Sequence, residues 1–233
     1  MQKRLVRKLD LENAISEIPL HPAPKAHLEQ YTITPQVAAE MLYIATYVND
    51  DIIDKTVVDL GCGTGRLVIG AALLGAKQTI GVDLDKVAIG LAQKNAENMG
   101  VEEKMFWITA DLDAIHGTFD TIMQNPPFGV RTRRADRRFI EKSLELGDRI
   151  YSIHKGSKHN RGLIKRLRSG GTRCIPTQPS PFLERFIGKH GGRIRGVYAM
   201  MMEIPYMFDF HSKKKHRFVV DLYVIDGRHT SKS

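Results

Sequence analysis

Cysteine is scarce in this 233-residue chain: there are two, Cys62 and Cys174, too few for a disulfide framework or a cysteine-built metal cluster. No apolar run approaches the roughly 20 residues of a membrane span, and the opening Met1-Gln2-Lys3-Arg4-Leu5-Val6-Arg7-Lys8 lacks the apolar core of a secretion signal. The expectation is a cytoplasmic protein without a metal site. Internal repeats, low-complexity tracts and a linker long enough to separate two domains are also missing. One domain over residues 1–233 is expected, with an N-terminal helical cap (1–50) on a core (51–233). Hydrophobic residues at 42% and charged ones at 26% suit an ordinary globular chain.

Charge is unevenly spread. Residues 1–128 hold 11 Lys/Arg and 17 Asp/Glu, a balance of −6, while residues 129–233 hold 24 and 9, a balance of +15. A basic half of that size points to a polyanionic partner such as nucleic acid.

Residues 5–15 have the spacing of a short amphipathic helix, and prolines 19, 22 and 24 interrupt regular structure after it. Thr34-Pro35 reads as N-cap and first helical residue, opening a helix striped by Val37, Met41, Ile44, Ala45 and Val48. Strands and helices then alternate. Strands are expected at 56–60, 78–83, 105–110 and 119–124. Between them lie helices marked by Leu67, Ala71 and Leu74, and by Val87, Leu91 and Asn95 with Ala88 and Ala92. A helix at 137–147, a fifth strand at 149–154, a helix around Phe182–Ile187 and two final strands near 193–204 and 217–225 complete the pattern. Residues 155–181 read as exposed, irregular structure. Such alternation implies a doubly wound α/β sheet, mainly parallel with right-handed crossovers, of seven strands ending in an antiparallel pair.

Two motifs carry chemistry. The first is Asp59-x-Gly61-x-Gly63-x-Gly65, whose glycines recur every second residue instead of in the G-x-G-x-x-G spacing of dinucleotide enzymes. Glycines at the carboxyl end of the first strand let the backbone approach a ligand closely. Asp83 follows Gly61 by 22 residues at the tip of the second strand, where a carboxylate can accept both ribose hydroxyls. Asp111, after the third strand, is placed to bind an adenine amine. The second motif is Asn125-Pro126-Pro127-Phe128 after the fourth strand. An amide oxygen and a peptide carbonyl are two acceptors for the two N–H bonds of a planar amine. Proline stiffens the turn, and Phe128 offers a ring on which a base can stack. Positioning of this kind needs no strong general base.

Together these motifs resemble class I methyltransferases that use S-adenosyl-L-methionine to modify adenine N6. More narrowly, the chain is similar to the family of methyltransferase-like protein five, which acts on small-subunit rRNA, and its archaeal relatives. The likeness includes Leu28-Glu29-Gln30-Tyr31, Asp59 to Gly65, Asn125 to Gly129, Tyr151-Ser152-Ile153-His154-Lys155, the Lys213-Lys214-Lys215 loop and Val220-Asp221-Leu222. It implies a Rossmann-like fold in which Gln30, Tyr31 and Thr32 close over the cofactor, joining Asp59, Gly61, Gly63, Gly65, Asp83, Asp111 and Asn125. It implies that Asn125 and the Pro126 carbonyl hold the target amine, with Pro127 and Phe128 completing the catalytic motif. A small zinc-binding activator protein accompanies the eukaryotic relatives. Arg131, Arg133, Arg134, Arg137 and Arg138 are expected to hold flanking RNA backbone, with Lys213–Arg217 a further candidate and His154 given no chemical role. Competing readings are a protein-glutamine methyltransferase, a DNA-adenine methyltransferase, and a non-catalytic RNA-binding protein on the same scaffold.

Overall fold

The computed structural model describes residues 6–25, 28–128, 135–156, 161–169, 173–205 and 215–228. Its centre is a sheet of β1 (Thr56–Leu60), β2 (Gln78–Asp83), β3 (Met105–Thr109), β4 (Phe119–Gln124), β5 (Gly147–Lys155), β6 (Cys174–Pro176), β7 (Arg193–Pro205) and β8 (Lys215–Asp226). They are ordered β3-β2-β1-β4-β5-β8-β7-β6. The first five run parallel, whereas β8 pairs antiparallel with β5, β7 with β8 and β6 with β7. Among the described residues the sheet therefore has eight strands, where seven were expected. The eighth, β6, sits in the stretch read as irregular. Its prolines and glycines mask a strand pattern, yet Pro176 is tolerable in the outermost strand, where a missing N–H disrupts no central ladder. The same stretch also contains a helix, α6 (Arg161–Arg168).

The remaining helices are α1 (Lys8–Ser16), α2 (Pro35–Tyr43), α3 (Arg66–Leu73), α4 (Lys86–Asn98), α5 (Ala135–Leu146) and α7 (Pro181–Lys189). Thr34 caps α2 as expected, its side chain accepting from the Val37 N–H at 3.5 Å. A π-helical turn, Ile44–Val48, extends α2 and rotates the apolar stripe, so Val48 ends exposed. On α4 the buried face is Ala88, Ile89, Ala92, Asn95 and Ala96, and Val87 points outward. Small residues there let the helix lie close to its neighbours.

One core cluster joins α1, α2 and α3 to the face of the sheet carrying Val57, Met123, Tyr151 and Leu222. A second joins α5 and α7 to the opposite face through Ile122, Ile150, Tyr223 and Ile225. The N-terminal segment is tied down by Arg66, buried on α3, whose guanidinium donates to the carbonyls of Ile33 and Ile18, both at 2.8 Å. Burial lowers the Arg66 pKa to about 10.

Candidate active site

The parallel strands β1, β2 and β4 end on one side of the sheet, where open α/β sheets place ligands. There β1 breaks into the glycine turn. Gly61, Gly63 and Gly65 have φ of 74°, 53° and 91°, the left-handed region that side chains disfavour. A Cβ on Gly61 would lie 3.1 Å from the Phe139 ring, so the turn is closely covered as well as bent. The turn is pinned to β2: the Gly61 and Cys62 N–H groups both donate to the Val82 carbonyl, at 2.8 and 2.9 Å.

A cavity of about 240 Å³ opens over this turn. Its walls include Gln30, Tyr31, Thr32, Asp59, Gly61, Gly63, Asp83, Asp111, Asn125 and Pro127, so most of the residues expected at the site are brought together. Asp83 accepts from the Gly63 N–H at 2.8 Å and from the Asp85 N–H at 2.9 Å, which orients its carboxylate. Burial raises its pKa. Asp59 lies deeper, 1% exposed, with Oδ1 lacking a hydrogen-bond partner. Burial, then the nearby Asp83 charge, push its pKa up to about 8, against an opposing hydrogen bond from the Val68 backbone.

Asn125 is held at one end only. Its Nδ2 donates to the Tyr31 carbonyl at 2.9 Å, while its buried Oδ1 has no partner. That bond fixes the amide rotamer and leaves an acceptor free. Two orphaned buried oxygens, on Asp59 and Asn125, in one cavity over a glycine turn fit a ligand with a cationic group and N–H donors. S-adenosyl-L-methionine has that character.

Other expected residues sit differently. The Gln30 amide is engaged by Asp85 at 2.9 Å and by the Lys25 N–H at 2.6 Å, so the residue forms wall through a side chain already occupied. Asp111 accepts from the Asp113 N–H at 3.0 Å and is ion-paired with Arg138. That N–H, then Arg138, hold its carboxyl below the usual range. Gly65 lies behind the cavity as the residue before α3, where an added Cβ would meet Ile69 at 2.9 Å. Phe128 stands beyond the cavity wall, half-buried, stacked on Tyr31 (centroids 6.4 Å apart) and edge-on to Phe218 at 5.7 Å. Pro126 is buried in the same turn. Arg131, Arg133, Arg134, Lys213 and Lys214 lie outside the described residues. Arg137 stacks on Phe182, and Arg217 pairs with Glu203. His154 is buried, 2.8 Å from Ser152 Oγ, with its pKa lowered to about 4 by burial, consistent with a packed core residue.

Asp85 escaped the sequence reading. It caps α4 through the Val87 N–H at 3.1 Å and gathers Lys25 at 3.0 Å, Gln30 and His21. Burial pushes its pKa up, but the hydrogen bonds from Gln30, Lys25 and Val87 outweigh this and hold it low. Gln30 and Lys25 lie 55 and 60 residues away in sequence, and no local pattern signals such a clasp.

Comparison with known proteins bears on the family and the fold. Residues 41–126 match the family described as ribosomal protein L11 methyltransferase (PrmA). The zebrafish (Danio rerio) rRNA N(6)-adenosine-methyltransferase METTL5 is 35% identical over 64% of this chain and 74% of its own. The Drosophila melanogaster Mettl5 is 31% identical over 86% and 87%. Among solved structures, a candidate RNA methyltransferase from Pyrococcus horikoshii superposes with a TM-score of 0.80 at 34% identity, covering 96% of this chain and 99% of that one.

Proposed function

The chain belongs to the METTL5-like family of class I methyltransferases, and from that premise we propose that it transfers a methyl group from S-adenosyl-L-methionine to adenine N6 in structured RNA, most naturally small-subunit rRNA. The observation that carries the reading is the Asn125 amide, clamped by the Tyr31 carbonyl so that its Oδ1 is left free and buried beside the cavity.

When bound, S-adenosyl-L-methionine supplies an electrophilic methyl on a sulfonium centre. The residues of the chain do the rest by placement. Gly61 and Gly63 would admit the cofactor's amino-acid end, Asp59 would supply negative charge near its cationic groups, Asp83 would take the ribose hydroxyls and Asp111 would meet the adenine moiety. Gln30, Tyr31 and Thr32 form the near wall of the cavity. Asn125 Oδ1 and the Pro126 carbonyl accept the two N–H bonds of the target amine, turning the nitrogen lone pair toward the methyl. Pro127 stiffens this turn, and Phe128 forms the stacking surface. The target adenine must leave its stack, at a cost of a few kcal/mol, which stacking on Phe128, worth about 1–3 kcal/mol, offsets. The departing proton passes to solvent.

A small zinc-binding activator fits the outer edge of β3, a terminal strand of the sheet. Phe106 (50% exposed) and Ile108 (37%) on β3 leave apolar surface there. Among the described residues no helix is long and apolar enough to cross a membrane. Cytoplasmic residence is part of the proposal.

The test is incubation with methyl-labelled cofactor and separate rRNA, DNA and protein fractions, followed by nucleoside analysis. The reading requires label in N6-methyladenosine. Label confined to protein or to DNA overturns it.

A further inference from the structure

Beyond the methyl-transfer site, the strand count marks something added. Helix α6 and strand β6 extend the sheet past β7, and their charge is one-sided: residues 155–183 hold seven Lys/Arg and no Asp/Glu. On α6, Leu163 and Leu167 face Ile175 of β6 and Ala199 of β7. Arg161, Lys165 and Arg168 recur at i, i+4 and i+7, on the opposite, exposed side. None of the three side chains has an ion-pair or hydrogen-bond partner among the described residues. By contrast, Arg138, at the cavity wall, is already paired with Asp111 and Asp113. Like charges at i, i+4 weaken a helix, and Arg161 in the first turn opposes the helix dipole. Lys165 and Arg168 lie in the last turn, where the dipole favours cations, so the internal effects largely offset one another, and the exposed, unpaired charge is open to an external anion.

The placement is equally specific. Strand β5 runs parallel to β4, with Ser152 level with Gln124, so the chain leaves β5 toward α6 at the end of the sheet that carries Asn125. Phe218 of β8 touches Phe128, and the next residue, Val219, packs into the α6–β6 cluster. A groove lined by Leu163, Arg166, Ile175, Pro176, Thr177 and Gln178 runs between α6 and β6. Four residues beyond Gln178, Phe182 carries the Arg137 guanidinium 4.6 Å above its ring, continuing the basic surface toward α5.

We propose that the exposed face of α6, with the α6–β6 groove, is an anchoring surface for the phosphodiester backbone of the RNA substrate, holding a segment that flanks the target adenine. This rests on the RNA-methyltransferase reading and adds where the substrate is held. Each cation engaged on phosphate releases condensed counterions, so affinity and its salt dependence report the contact directly.

The experiment compares the full-length wild type with Arg161→Gln/Lys165→Gln/Arg168→Gln on α6. A control, Lys86→Gln/Lys94→Gln/Lys104→Gln, removes equal charge from exposed positions near β3. With naked rRNA, the α6 variant should show KM raised by about tenfold or more, and the slope of log affinity against log salt should shrink by about two. Its kcat at saturating RNA and its cofactor affinity should match the wild type. Arg161→Lys/Arg168→Lys, which keeps the charge, should retain the wild-type slope. An α6 variant indistinguishable from wild type or from the control overturns this surface while leaving the enzyme's activity standing; that result would include the case in which α6 meets a ribosomal protein instead. A wild type that transfers no methyl to RNA overturns the reading beneath it.

Discussion

At Asp59 a proton and the cofactor compete for one carboxylate. The group is 1% exposed, its Oδ1 has no partner, and burial beside Asp83 lifts its pKa from 3.8 to about 8. In the ligand-free protein at neutral pH it is therefore largely protonated. A cationic cofactor favours the ionised form, so binding below pH 8 must expel that proton. Linkage sets the size. While Asp59 is protonated in the free protein and ionised in the complex, log affinity rises by close to one per pH unit. Because Asp59 is half ionised at pH 8, the cofactor should bind about fiftyfold tighter at pH 8 than at pH 6, about 2.3 kcal/mol. Above about pH 8 the cofactor's own α-amino group loses its charge, so affinity should peak there. The sign for stability is opposite. A folded pKa above the unfolded one means the unfolded chain releases its proton first, so the ligand-free fold loses stability as pH climbs from about 4 toward 8. Titration calorimetry in two buffers of different ionisation enthalpy counts the protons, and Asp59→Asn should flatten the profile. A flat wild-type profile between pH 6 and 8, or an unchanged slope in Asp59→Asn, refutes the reasoning.

Three more outcomes are expected. Asn125→Ala should lower kcat by about 10²–10³, the effect of removing one preorganised polar group, while RNA affinity measured by filter binding is retained; a loss under threefold contradicts the amine-holding role. Arg66→Met leaves the Ile33 and Ile18 carbonyls without their buried donor. It should destabilise the protein by roughly 2–4 kcal/mol in urea unfolding, with weaker cofactor binding as the N-terminal wall loosens. Gly81→Ala sets a Cβ 2.5 Å from the Trp107 ring and 3.1 Å from Cys62 Sγ. Overpacking of about 1–3 kcal/mol should appear as a lowered Tm.

The alternation of strands and helices from Thr56 to Gln124 was legible because each element carries its own local signal. Apolar runs of strand length end in glycine, aspartate or asparagine, and each crossover helix has a periodic face. Thr34-Pro35 announced its helix for the same reason: capping is decided within four residues. The gathering of Asp59, Gly61, Asp83 and Asn125 was legible too, since they stand at strand ends that the fold brings to one cavity. Strand β6 and helix α6 were not. Three residues beside prolines and glycines form a strand only because Met200, Ala199 and Tyr198 of β7 present an edge to pair with.

Local pattern, then, determined the order of elements, the class of sheet and the identity of the two chemical motifs, because propensity, periodicity and turn chemistry act over a few residues. Tertiary structure alone decided which groups are satisfied and which are left free. Gln30 spends its amide on Asp85, Asp111 is taken by Arg138, and Asn125 keeps Oδ1 open because the Tyr31 carbonyl, 94 residues away, occupies its nitrogen. Hydrogen bonding and burial depend on which groups the folded chain brings within about 3 Å of each other, and sequence spacing carries no record of that.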